Sequence, residues 1–325
     1  MPSKPSASSK SKIFSLTNCS SSITKIFIAD RNGNTISLDR QENRKWLINN
    51  KYKPRPDFLK LMLDVIYQID VRNRVAKAAY NNVIKMLASN GIKCEIYLNN
   101  SKEPFKTYYV GGQTEDALGT FMIIENSTMP FVTEISGFDG YLTPRYSTDL
   151  ESWRLPALFQ TSLADIKSLM VSYANFPEKS FLISSDNDQY HVQSPATNKS
   201  LIQIDSVAIE NYLSFYANVF FEARAKDLIP QKKDSMLLST PSIIISLTDK
   251  NGISREVNIY PMTISGTSLA KVDLEGNPLK YDVDRVYGFI KPEKEFVIIQ
   301  HYTFDKLLRQ ISDFESKKIT GLPKQ

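Results

Sequence analysis

The sequence predicts an α+β chain of two similar domains, each a mostly antiparallel β-sheet packed with one or two helices. Three observations predict it. Short runs of alternating apolar and polar residues recur along the chain, as half-buried strands require. Turn signals punctuate them, Asn32-Gly33 foremost. Three strand-like runs also precede the first helical stripe, unlike the strict strand–helix alternation of a parallel sheet.

The elements follow in order. Ile23 to Asp30 alternates, turns at Asp30-Arg31-Asn32-Gly33-Asn34, and returns over Thr35 to Arg40, with a third strand around Trp46. A helix begins near Asp57, a plausible N-cap, and carries the stripe Phe58, Leu61, Met62, Val65, Ile66 and Ile69. A second helix runs from Val75 to Asn90 and ends at Gly91, read as a left-handed cap. Strands follow at 94–98, 106–110, 119–125 and 131–135, all read as one module with its helices against one face of the sheet.

The same order then recurs. Strands are expected at 166–173, 180–184 and 189–193, then a helix capped by Asp205 with the stripe Ile209, Tyr212, Leu213, Tyr216 and Phe220. Strands at 243–247, 255–260, 286–290 and 296–300 precede a closing helix over 304–314. Trp46 falls opposite Tyr190. Lys93 to Ile96 falls opposite Ser242 to Ile245, and Lys106 to Val110 opposite Arg255 to Ile259, at an offset of about 149. Phe131-Val132 falls opposite Phe296-Val297, the offset growing through extra residues around 265–282. The organisation read is a flexible Ser/Lys/Pro-rich tail over 1–20, a first module over 21–155, a diverged second copy over 156–316, and a tail over 317–325.

Composition bounds the function. With 42% hydrophobic and 23% charged residues among 325, the chain is globular in character, not disordered. The net charge is +5, and Lys4, Lys10, Lys12 and Lys25 precede the first acid, Asp30. That front is a solvated tail or one lying near an anionic membrane surface. The remaining charges are mixed and no basic-aromatic motif is present, which speaks against nucleic acid. The first twelve residues lack the apolar core of a signal peptide, and no run reaches the roughly 18 apolar residues of a span. Cys94 alternates with Ile92 and Ile96 as a small core residue; Cys19 sits in a polar stretch, and a Cys19–Cys94 pair stays open as the alternative.

No catalytic, metal or cofactor motif appears, so no cofactor is expected and the chain is read as non-enzymatic. His191 and His301 read as ordinary histidines. Asp139, Asp149 and Glu151 lie in one loop and would serve a hydrolase acting on an envelope polymer as an acid pair. Gly111-Gly112 reads as a turn between strands. One segment is dense in anchor residues: Gly137, Phe138, Asp139, Gly140, Tyr141, Arg145, Tyr146 and then Trp153. It reads first as the inter-domain joint, with Tyr146 and Trp153 packed against the second copy. Its alternative is a binding face comprising Tyr109, Gly111, Gly112, Phe138, Asp139, Tyr141, Arg145, Tyr146 and Trp153.

The runs Ile23 to Ile26, Lys45 to Asn49, Tyr108 to Gly112, Gly119 to Met122 and Gly137 to Leu142 together resemble the uncharacterised bacterial domain-of-unknown-function family 4340 (DUF4340). The resemblance covers about the first 155 residues, the rest following in pattern. It implies a protein placed outside the inner membrane behind one membrane helix, beside components of ABC transporters in some relatives. This chain departs from that pattern at its start. It reads as soluble as given, and as periplasmic if an upstream anchor was trimmed. The function expected is therefore a non-catalytic scaffold or accessory subunit with protein partners at the cell envelope. The alternatives are a ligand- or peptide-binding protein using an inter-domain crevice, and the hydrolase above.

Overall fold

The computed structural model describes residues 13–16, 22–186 and 189–316, and it divides into two compact units between Leu155 and Pro156. The first unit is built from β1 (Ile23–Ala29), β2 (Thr35–Arg40), β3 (Trp46–Ile48), α1 (Pro56–Gln68), β4 (Ile69–Arg74) and α2 (Lys77–Asn90). It continues with β5 (Ile92–Leu98), β6 (Lys106–Gln113), β7 (Thr120–Ile124), β8 (Phe131–Ile135) and the single turn α3 (Leu150–Trp153). Its strands form one sheet in the order β3-β2-β1-β5-β6-β7-β8-β4, antiparallel throughout.

The second unit contains β9 (Ala157–Phe159), β10 (Ile166–Tyr173), β11 (Phe181–Asp186), β12 (Gln189–Gln193), α4 (Ser206–Ser214), β13 (Val219–Phe220) and β14 (Ala223–Arg224). After these come α5 (Pro230–Leu238), β15 (Ile243–Asp249), β16 (Ser254–Thr263), β17 (Tyr281–Ile290), β18 (Glu295–Gln300) and α6 (His301–Phe304). Its sheet order is β12-β11-β10-β15-β16-β17-β18-β14, the first unit's order repeated strand for strand, and again antiparallel. Even an irregularity repeats: β1 slips against β5 between Ile23 and Lys25, and β10 slips against β15 between Ile166 and Ser168.

Successive strand residues point to opposite faces, and each sheet uses both. In the first unit Ile26, Ile28, Cys94, Ile96, Tyr108 and Val110 bury one face against Met62, Val65 and Ile66 of α1. The other face, over β6 to β8, presents Tyr109, Phe121, Ile123 and Val132 to Val83 and Leu87 of α2. The second unit does the same: α4 covers Val171, Ile245, Val257 and Ile299, while Met236 of α5 packs beside Tyr260, Met262, Tyr287 and Phe296. The helices thus lie on opposite faces of each sheet, not on one.

The repeat also corrects the expected alignment. Counting from the shared slips, Ile28 pairs with Cys94 and Val171 with Ile245, so Cys94 corresponds to Ile245 and not to Ile243. Met122 pairs with Phe131 and Gly288 with Val297, so Phe131 corresponds to Val297. Matching Phe131 to Phe296 would put one residue on the main core face and the other on the opposite face.

Several elements differ from expectation for local reasons. Ile69 leaves the helix and opens β4, with its amide still bonded to the Val65 carbonyl at the helix end. Arg55, not Asp57, precedes α1; Pro56 starts the helix and Asp57 pairs with Arg55 at 2.6 Å. Asp205 does cap α4, accepting from the Ala208 amide at 3.0 Å. Gly91 is extended (φ −65°), not left-handed, and its missing Cβ leaves room for the Leu87 carbonyl. Phe220 lies in β13, outside the α4 stripe, and is partly exposed. The closing stretch is α6 followed by separate 3-10 turns at Asp305–Leu307 and Ile311–Phe314, not one helix. Residues 13–16 are not tail: Phe14 and Leu16 are buried in the first core. Lys25 belongs to β1, within 3.8 Å of Asp39; Lys4, Lys10, Lys12 and Cys19 lie outside the described residues.

Candidate functional site

The segment dense in anchor residues follows β8 and is pinned from beneath. Thr120 and Thr133 are fully buried polar residues on adjacent strands. The Thr133 hydroxyl donates to the Thr120 carbonyl at 3.0 Å, and the Thr120 hydroxyl oxygen accepts from the Leu142 amide at 2.7 Å. Thr143 donates to the Gly111 carbonyl at 2.6 Å. Further on, the Tyr146 and Tyr108 hydroxyls meet at 3.0 Å inside the core, and the Trp153 indole donates to the Ser147 carbonyl at 2.7 Å. Trp153 packs edge-on against Phe58 of α1, ring centres 4.6 Å apart. Tyr146 and Trp153 are therefore core residues of the first unit, with partners in their own module.

Above these anchors the loop displays a compact group. The Arg145 guanidinium lies 4.2 Å from the centre of the Phe138 ring, a cation–π contact. Gly137 (φ +76°) and Gly140 (φ +151°) take backbone conformations that disfavour side chains, and a Cβ on Gly140 would meet the Phe138 ring. Asp139 and Tyr141 are exposed beside them. The structure thus brings Phe138, Asp139, Gly140, Tyr141 and Arg145 together at one loop.

The remaining candidates lie elsewhere. Gly111 and Gly112 belong to β6, where its pairing with β7 slips between Val110 and Gln113, so they form no turn. Gly111 is a glycine because α2 crosses close by: a Cβ there would stand 2.8 Å from the Met86 sulfur, whereas one on Gly112 would make ordinary contact at 3.8 Å. Gly111→Val is expected to overpack this crossing and cost about 1–3 kcal/mol. Thermal unfolding of the variant checks it; an unchanged midpoint would contradict the close approach. Tyr109 points to the α2 side of the sheet, where its hydroxyl donates to Glu125 at 3.2 Å and Arg31 lies 5.6 Å from its ring.

Two of the three loop acids, Asp149 and Glu151, have structural work. Asp149 caps α3, accepting from the Glu151 amide and the Ser152 hydroxyl, and Glu151 pairs with Arg154 at 3.4 Å. His191 is exposed on β12, and His301 contacts Asp305 at 2.8 Å. Among the described residues no group of three His, Cys, Asp or Glu side chains is placed to hold a metal, and no helix is long and apolar enough to cross a membrane.

Cys94 is a free thiol buried in the first core. Burial pushes its pKa from 9.0 up to about 12, and burial likewise raises Tyr108 and Tyr146. Above pH 9.0 the unfolded thiol has lost a proton that the folded one keeps. For the thiol the stabilisation is complete below that pH and falls as pH rises towards about 12, by about 1.4 kcal/mol per pH unit. Denaturant midpoints should decline steadily through this alkaline window; a flat profile would contradict the burial.

At the repeat-equivalent end of the second unit stands what sequence reading noted only as extra residues. The short β6–β7 connection becomes a long β16–β17 excursion over 264–280, pinned by Ser268, whose hydroxyl donates to buried Asp282 at 2.6 Å. Val272 and Pro278 bridge its arms, and the Asp273 carboxylate accepts the Glu275 and Asn277 amides at its tip. Leu274 is fully exposed there, and Leu269 nearly so.

No protein-family model matches the chain, and neither a curated protein nor a solved structure matches it.

Proposed function

We propose that the chain is a non-catalytic, protein-binding accessory or scaffold subunit of a membrane-associated assembly at the bacterial cell envelope. The observation that supports this reading best is the β16–β17 excursion, which holds Leu269, Val272 and Leu274 out in solvent on a hydrogen-bonded hairpin. Ordered apolar side chains kept exposed in this way cost solubility and suit a protein partner's surface. The Phe138–Arg145 loop supplies a second ordered display at the matching end of the first unit. Placement on the outer side of the inner membrane, near a transporter of the ABC type, rests on the resemblance of the first 155 residues alone. The test is affinity capture from mildly solubilised membranes with the wild-type chain and with the double variant Leu269→Asp/Leu274→Asp. A reproducible partner with wild type, lost with the variant while its unfolding midpoint is kept, supports the reading. Repeated recovery of no partner, or equal recovery with both, removes it.

A further inference from the structure

Residues 13–16 form no strand of the sheet, yet they are received like a ligand. Phe14 inserts its ring edge-on to Tyr108 (5.8 Å, 84°) and Phe131 (6.0 Å, 79°). Two residues on, Leu16 is buried in the same core, and its amide donates to the Ile66 carbonyl at 3.0 Å. The half-buried Lys106 ammonium donates to the Ile13 carbonyl at 3.0 Å and to the Ser15 carbonyl at 3.1 Å. A cation is thus committed to backbone oxygens, the groups every extended peptide carries. The two alternate side chains supply the selection: an aromatic, then an aliphatic.

The second unit repeats the device. Arg255 stands where Lys106 does, at the start of the equivalent strand. Its guanidinium donates to the Ala157 carbonyl at 3.0 Å and to that of Leu158. Those residues belong to β9, which precedes that unit's first sheet strand and buries Leu158 and Phe159. Phe159 pairs with Val219 of β13, as Leu16 meets Ile66. Each unit therefore packs a short apolar segment, ahead of its first sheet strand, whose carbonyls are gripped by one cation.

We propose that the first unit carries a peptide-binding groove, walled by Ile66, Lys106, Tyr108 and Phe131, that recognises a short aromatic-x-aliphatic segment and is occupied in cis by residues 13–16. The strap is then a separable occupant, exchangeable for a peptide of the same pattern.

The test keeps the full chain. A specific protease site placed between Leu16 and Ser22 is cut, and a fluorescent peptide of residues 10–17 is added while polarisation is followed. Exchange onto the cut chain is expected, with none onto the uncut chain. A peptide carrying Phe14→Ala should bind at least about tenfold more weakly, that factor corresponding to about 1.4 kcal/mol. Lys106→Met in the cut chain should weaken the wild-type peptide by a similar factor. Hydrogen exchange on β1 and β5 reports whether the cut chain stays folded. Unfolding on cleavage would make the strap an integral part of the core and overturn the proposal. A folded cut chain that never takes up the peptide, or takes the Phe14→Ala peptide equally well, would overturn it too.

Discussion

Trp153→Ala is expected to destabilise the first unit by about 3–5 kcal/mol, the range for removing a fully buried large aromatic. Trp153 is completely buried and packs its ring on Phe58. Its indole also satisfies the Ser147 carbonyl, which the truncation would leave without that donor. The loss should appear as faster hydrogen exchange in β1, β5 and β6, and as a lower denaturant midpoint. Trp153→Phe should recover part of it by refilling volume without the indole donor. A loss below about 1 kcal/mol for the alanine variant would mean that the ring is not a core residue.

Phe181→Ala is expected to cost the second unit a comparable amount, about 3–5 kcal/mol. Its ring lies 4.9 Å from Phe314 and 5.8 Å from Tyr212, so one side chain joins β11, α4 and the final turn. Tyr212 in turn shares a hydrogen bond with Tyr216 at 2.8 Å and donates to the Leu307 carbonyl. Truncating Phe181 opens a cavity beside this buried polar pair, where little can collapse to fill it. Hydrogen exchange in β10, β11 and α4 measures it, the first unit's β1 and β5 serving as the internal reference. Protection unchanged in β10 and β11 would contradict the packing.

Much of the fold was legible in the residues, because alternation at period two is a local property. The hairpin at Asp30 to Asn34 reads directly from its turn chemistry, and the Asp30 carboxylate accepts the Asn32 and Asn34 amides as such a turn demands. What escaped depended on packing. Helix α5 buries no residue fully, so it has no apolar stripe to see. Strand β4 was hidden because Ile69 is apolar whether it ends a helix or opens a strand. The strap did leave a trace: Lys106 and Arg255 are both basic at equivalent strand starts. That two such cations grip backbone oxygens emerges only when the chain before each sheet folds back onto it.

The candidate site divides along the same line. Phe138, Gly140, Tyr141 and Arg145 are neighbours in sequence, and their grouping follows from short-range geometry, with glycines where the backbone needs them. Tyr146 and Trp153 carry identical credentials by composition, and only their burial separates anchor from display. Gly111 and Gly112 look like a turn until α2 is laid across them.

By itself the sequence determined the class of fold, the order of most strands and the doubling of the pattern, since these follow from side-chain periodicity and turn chemistry along a continuous stretch. The tertiary structure decided which residue of each repeat faces which layer. It also decided which aromatics vanish into the core and which cation meets which carbonyl. Those outcomes depend on register and on segments far apart in the chain, where a shift of one residue exchanges inside for outside.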